Sequence, residues 1–194
     1  LDSNEANFGS ALWAGGSNLT VRNNSFVNNL AASGGTIYWV WNSGMDPPVG
    51  SFEKEDNFEN AFNGNTAAYG SGWATNGHSL RSTNDSSIID ISQFAQALAP
   101  ISIGLFDLYG ALVVVESQNI VTMGVGSADA DLPQCGTAIP AVSGETIVRF
   151  PTGLALFQAI LAQCQPRGSL NITAETDVSI KGVTDATVGG DSSR

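Results

Sequence analysis

The sequence predicts an all-β chain in two parts, a short parallel β-helix followed by a β-sandwich. Three observations carry this. Only 13% of the residues are charged against 42% hydrophobic, and polarity comes instead from Asn, Ser, Thr and Gly, a balance that suits strands and turns better than charge-laced helices. In the first third of the chain a Gly-rich motif returns at an offset of 25 residues, which is the signature of a stacked repeat. From about Ser79 onward the repeat stops, and short apolar runs alternate with turn residues.

The repeat reads as follows. Gly9-Ser10-Ala11-Leu12-Trp13 returns as Gly34-Gly35-Thr36-Ile37-Tyr38, and again 36 residues later as Gly70-Ser71-Gly72-Trp73-Ala74. The additional 11 residues match a Pro-, Gly- and acid-rich stretch from Gly44 to Glu55, which reads as a surface loop. A second element, Phe26-Val27-Asn28-Asn29, returns as Phe62-Asn63-Gly64-Asn65. Strand, Gly corner, strand, Asn corner is the order a parallel β-helix requires, because corners take positive φ and each rung stacks its apolar side chains on the next. These paired Gly-Gly-x-Ile and Phe-x-x-Asn motifs resemble polymorphic outer-membrane-protein repeats, which also occur in large secreted β-helix proteins of algae, oomycetes and other protists. Asn65 to Gly70 resembles the closing segment of such a helix. Thr36 stands where the family usually has Ala, and Ser10 where it has Gly. The resemblance covers residues 1–76 and implies pectin-lyase-like rungs.

The second part opens on Pro100–Glu116, where Ile101, Ile103 and Leu105 alternate, Asp107-Leu108-Tyr109-Gly110 supplies a turn, and Leu112 to Val115 is an apolar run. That predicts an antiparallel hairpin. Candidate strands are Ser86–Ile91, Pro100–Phe106, Ala111–Glu116, Ile120–Gly126, Glu145–Phe150, Leu154–Leu161 and Ser169–Glu175, with Val178–Val183 as an eighth. Gln93 to Ala99 reads as a loop or a helical turn. Leu154 to Cys164 has the composition of a buried helix but is tightly bounded by Gly153 and Pro166-Arg167-Gly168, which favours a strand. The strand count is that of an immunoglobulin-like sandwich. The turn Asp107/Tyr109/Gly110, the run Gly153/Ala155/Phe157 and the run Pro166/Gly168/Leu170/Ile172 resemble the Ig-like domains that follow β-helices in the same protist surface proteins, including those of mastigoneme or fibril type. The expected division is 1–76 for the rungs, 77–181 for the sandwich, and 182–194 for a tail or exchange segment.

Composition narrows the function classes. Seven basic and eighteen acidic residues give a net charge of −11, which repels nucleic-acid backbones and anionic lipid. No apolar run reaches the roughly 20 residues of a membrane span, and the start at Leu1 rather than Met points to processing or to a segment of a longer product. Asn18, Asn23, Asn84 and Asn171 each begin an N-glycosylation triplet. With low Lys and the cysteine pair Cys135 and Cys164, they predict an extracellular or cell-surface protein with a disulfide, although two buried free thiols are the alternative.

No catalytic signature is present. His78, the single histidine, lies in the turn Asn76-Gly77-His78 and reads as an exposed hinge residue. Glu53, Glu55, Asp56 and Glu59 cluster in the inserted loop instead of at fixed rung positions, so no carboxylate pair for glycosidic cleavage is set out. Asp129, Asp131 and the acids from Asp185 to Asp191 are the calcium candidates, without a recognised spacing. No cofactor is expected beyond covalent N-glycans. Trp39, Trp41 and Trp73 are candidates for stacking on sugar rings, with core packing as the alternative. The resemblance implies structural or adhesive work. The expectation is a subunit of a self-assembling glycosylated fibre, homo-oligomeric and head to tail, or a module of a large surface protein. A carbohydrate-binding adhesin is the alternative, and a secreted polysaccharide-active enzyme comes third.

Overall fold

A computed structural model describes residues 1–16, 18–41, 60–83, 95–114, 119–126, 135, 139–164, 170 and 172–176. The described chain is all-β, with several sheets and no helix. It divides into two compact units. The first takes Leu1–Ser79 together with Leu105–Val115, and the second takes Leu80–Gly104 and Glu116–Ser179. The stretch Leu105–Val115 thus groups with the first unit although it lies beyond Leu80 in sequence.

In the first unit the chain makes three passes. The first contributes β1 (Glu5–Ala6) and β2 (Leu12–Gly15). The second contributes β3 (Ser25–Val27), β4 (Leu30–Gly34) and β5 (Ile37–Val40). The third contributes β6 (Ala61–Asn63), β7 (Thr66–Tyr69) and β8 (Trp73–Thr75). Equivalent strands pair in parallel, giving the ladders β1-β4-β7, β2-β5-β8 and β3-β6, the last extended by an isolated parallel bridge from Asp2 to Val27. Leu12 faces Ile37 and Ile37 faces Trp73, so the pairing registers are the 25- and 36-residue offsets of the sequence motif. That column packs with Val21, Phe26 and Phe62 into one apolar core, and Phe26 and Phe62 stack at 5.0 Å between centroids.

The corners explain the spacing. Ser3, Asn28 and Gly64 occupy equivalent places on the three passes and all take positive φ, at 54°, 51° and 65°. A left-handed residue there turns the chain so that the next one, Asn4, Asn29 or Asn65, points its amide along the stack. Asn tolerates this region better than most side chains and Gly does so without cost.

The second unit is sandwich-like. Its strands are β9 (Ser79–Ser82, whose first residue belongs with the first unit), β10 (Ala95–Ala97), β11 (Ile101–Phe106), β12 (Ile120–Val125), β13 (Ala141–Gly144), β14 (Ile147–Arg149), β15 (Leu154–Phe157), β16 (Ile160–Gln163) and β17 (Ile172–Thr176). They form the sheets β10-β16-β13, β15-β11-β9 and β14-β12-β17, and the strand pairs β10–β16, β11–β15, β12–β14, β12–β17 and β13–β16 are antiparallel. Ile101, Ile103, Val121, Met123, Phe150, Ala155, Phe157, Ile160 and Ala162 are buried.

Four sequence expectations need correction. Leu154–Leu161 is two strands in different sheets, because the buried positions change phase from Ala155 and Phe157 to Ile160 and Ala162; a period-2 strand cannot change phase without a break. Gln93–Ala99 contains a strand, β10, and β13 was missed because its half-buried Ala-Val-Ser-Gly lacks a strong apolar alternation. Ala111–Glu116 is no strand over its described residues. Its backbone at Ala111 is taken up by Asp107, and the return arm keeps only the bridge Phe106 to Leu112 and the bond from Val113 N–H to Leu105 O (2.9 Å). Ser86–Ile91 and Val178–Val183 lie outside the described residues.

Candidate functional site

Within the first unit the chemistry-bearing side chains serve the ends and the spine of the stack. The spine is a row of asparagines. Asn4 donates its N–H (3.1 Å) and its Nδ2 (2.9 Å) to Oδ1 of Asn29, and Asn29 donates the same pair to Oδ1 of Asn65 (2.9 Å each). Asn29 is fully buried, where an unpaired amide would be costly, so the row satisfies in one stroke the polar groups that the corner exposes. A second pair runs beside it, Asn24 N–H to Asn60 Oδ1 (3.2 Å) with Asn60 Nδ2 on Val21 O (2.9 Å).

The third-pass end of β8 is closed by the turn that follows β11. Asp107 is 0% exposed. Its Oδ1 accepts from Tyr109 N–H (2.9 Å) and Ala111 N–H (2.8 Å), and its Oδ2 accepts from Thr75 N–H (3.2 Å) at the end of β8. Thr75 Oγ1 in turn accepts from Leu108 N–H (3.0 Å). Tyr109 sets its ring 6.2 Å from that of Trp73. Burial pushes the Asp107 carboxyl above its ordinary range, and the backbone N–H donors only partly offset that. The group caps a strand, and among the described residues no cluster of three His, Cys, Asp or Glu side chains stands ready to hold a metal.

Among the described residues the first-pass end has no such closure. Asp2, β1 and β2 pair, among those residues, only on the side of the second pass, and Leu1 and Trp13 are exposed there, Trp13 by 57%. The ring of Trp13 lies over Gly15, where a Cβ would collide with it.

The residues singled out from sequence fall as follows. Asn18 and Asn23 are exposed, as are Thr20 and Ser25, which complete their triplets; Asn84 and Asn171 lie outside the described residues. Cys135 and Cys164 are joined in a disulfide and both are buried. Trp39 is completely buried, so both of its faces are covered and it has none to offer a sugar. Trp41 meets the ring of His78 edge-on at 4.7 Å and exchanges two hydrogen bonds with Asn76. Trp73 packs on the core. His78 is half-buried rather than an exposed hinge, since its N–H bonds Phe106 O (2.7 Å) and Trp41 covers its ring. Glu53, Glu55, Asp56, Glu59, Asp129, Asp131 and the acids from Asp185 to Asp191 lie outside the described residues. The reading from sequence missed Trp13 and Asn4, and both were findable. Trp13 sits 25 residues before Tyr38 in the repeat and Asn4 sits 25 before Asn29.

Comparison of the chain with protein-family models, with curated proteins and with solved structures finds no match.

Proposed function

We propose that the chain is an extracellular structural glycoprotein, a subunit of a glycosylated fibre, in which a short parallel β-helix is followed by an immunoglobulin-like domain. The observation that carries this reading is the open first-pass edge beside a closed third-pass end of β8. Parallel strands with unpaired backbone groups demand a further strand, and a contact that repeats without closing generates a filament. The disulfide supports an oxidising compartment, and exposed Asn18 and Asn23 support glycans on the outside of the stack. No helix among the described residues is long and apolar enough to cross a membrane. The polymorphic outer-membrane-protein-like repeat motif fits the same reading. The test is native material examined by electron microscopy together with intact mass. Filaments with a mass above that of the bare chain are expected; a bare monomer at micromolar concentration sinks the proposal.

A second reading, carbohydrate binding, now rests on Trp13 instead of Trp39, Trp41 or Trp73. Its exposed indole over Gly15 is the kind of flat platform that pyranose faces stack on. Loss of glycan-array binding in Trp13→Ala with the fold intact supports it, and binding to no glycan by the unaltered chain removes it.

A further inference from the structure

The asparagine row has a direction. Each Oδ1 faces the preceding pass and each pair of donors faces the following one, from Asn4 to Asn29 to Asn65. The row therefore ends differently at its two extremes. Among the described residues Oδ1 of Asn4 receives no donor. At the other extreme Asn65 commits one Nδ2 hydrogen to Phe26 O (2.8 Å), while its N–H and its second Nδ2 hydrogen reach no acceptor in the described chain. One extreme lacks a donor pair, and the other lacks the acceptor that such a pair would meet.

From this complementarity we infer that the first-pass edge of one copy seats on the third-pass edge of a second copy, with Oδ1 of Asn4 taking the two Asn65 donors across the contact. The inference rests on the fibre-subunit reading and adds to it the surfaces, the polarity and the register. Stacking like ends puts acceptor against acceptor or donor against donor, so only the polar, head-to-tail arrangement continues the row. The Asp107 turn is hydrogen-bonded to Thr75 at the end of β8, with Asp107 Oδ2 accepting from Thr75 N–H and Leu108 N–H donating to Thr75 Oγ1, and β6 and β7 lie on the other ladders of the third pass. The contact is therefore made through Asp2 and β1 on one side and through β6 and β7 on the other. Its register follows from the pairs already present. Asp2 lies opposite Val27 and Val27 opposite Asn63, while Glu5 lies opposite Leu30 and Leu30 opposite Thr66. Continued by one pass, the pattern sets Asp2 of one copy opposite Asn63 of the next.

That register is open to a cross-linking test in the full chain. Asp2 and Asn63 are exposed, and the two native cysteines are bridged, so Asp2→Cys and Asn63→Cys each introduce one reactive thiol. Opposed residues of neighbouring strands lie within the Cα separation of about 4.4–6.8 Å that a disulfide spans. Under mild oxidation the mixture of the two variants is expected to give a covalent dimer that peptide mapping assigns to positions 2 and 63, while each variant alone stays uncross-linked. A 2–2 dimer from Asp2→Cys alone overturns the polarity. Unaltered chain that forms filaments, with no 2–63 product in the mixture, overturns this contact and leaves the fibre-subunit proposal standing. Unaltered chain that forms no assembly overturns both. Asn4→Ala, checked for an intact fold by circular dichroism, is expected to weaken association about tenfold, equivalent to about 1.4 kcal/mol.

Discussion

Replacing Asp107 should open the closed end of the first unit, and by a calculable amount. Asp107→Ala strands the N–H groups of Thr75, Tyr109 and Ala111, which now meet one carboxylate at 3.2, 2.9 and 2.8 Å. Hydrogen bonds to a charged group contribute roughly 1.5–3 kcal/mol each. The buried carboxylate itself carries a desolvation cost, visible in its raised pKa, so the lower end of that range applies, less a part of it, for a net loss of about 3 kcal/mol. Asp107→Asn keeps an acceptor for Tyr109 and Ala111 but turns an amide donor toward Thr75 N–H, and should cost about 1–2 kcal/mol. The pH dependence follows from the sign of the shift. The folded chain holds this proton more tightly than the unfolded chain, whose value is near 3.8. The Asp107 contribution is therefore fully present below that value and is lost as pH rises through the raised folded value. The unaltered chain should gain on Asp107→Asn as pH falls from neutral toward 4. All four tryptophans, at 13, 39, 41 and 73, lie in the first unit, so intrinsic fluorescence in a urea titration reports its unfolding alone. A loss under 0.5 kcal/mol for Asp107→Ala, or equal losses for the two variants, would refute the capping role.

The remaining predictions concern the spine, the bridge and one corner. Asn29→Ala removes the acceptor of two bonds and the side-chain donor of two from a buried site, while the backbone N–H keeps its bond to Asn65 Oδ1; a loss of about 3 kcal/mol is expected in the same fluorescence titration, and clearly less for Asn4→Ala. Reducing Cys135–Cys164, separated by 29 residues, should lower stability by about 3–4 kcal/mol in the chain-entropy account; thiol titration should find no reactive cysteine before reduction. At Gly144, φ is +101° and a Cβ would drive into the backbone oxygen of Ala159, so Gly144→Ala should cost more than about 1 kcal/mol, read from a thermal melt of the second unit followed by far-ultraviolet dichroism.

The sequence made the repeating part legible because its periodic residues are those that geometry requires. Asn28 and Gly64 mark a corner that must be left-handed, Phe26 and Phe62 stack across 36 residues, and the Gly-rich motif sets the register of β2, β5 and β8. What stayed hidden was decided by tertiary contacts. Nothing local in Ala111–Glu116 distinguishes a strand from an arm whose first peptide is held by Asp107. The break between β15 and β16 shows only as a change of burial phase, which a continuous apolar run conceals. Trp13 is in register with Tyr38 and Trp39 with Ala14, so the two tryptophans lie on opposite strand faces, one exposed and one buried, yet they look alike as aromatic positions in β-prone runs. The candidate site was legible in part, since Asn29 and Asn65 were marked by their motif, but the direction of their amides is a property of the stack alone.

The capping turn also imposes an order in time. The first unit is not one continuous length of chain, for its last strand end waits for Asp107, about thirty residues after Thr75. On a ribosome, adding residues at roughly 5–20 per second, the three passes emerge first and stand uncapped for seconds until the turn arrives. During that interval β8 offers a ready edge to any neighbouring nascent chain. A capping residue encoded downstream thus acts as a delayed stop for β8, deciding when that strand ceases to be a template while β6 and β7 stay available to a neighbour.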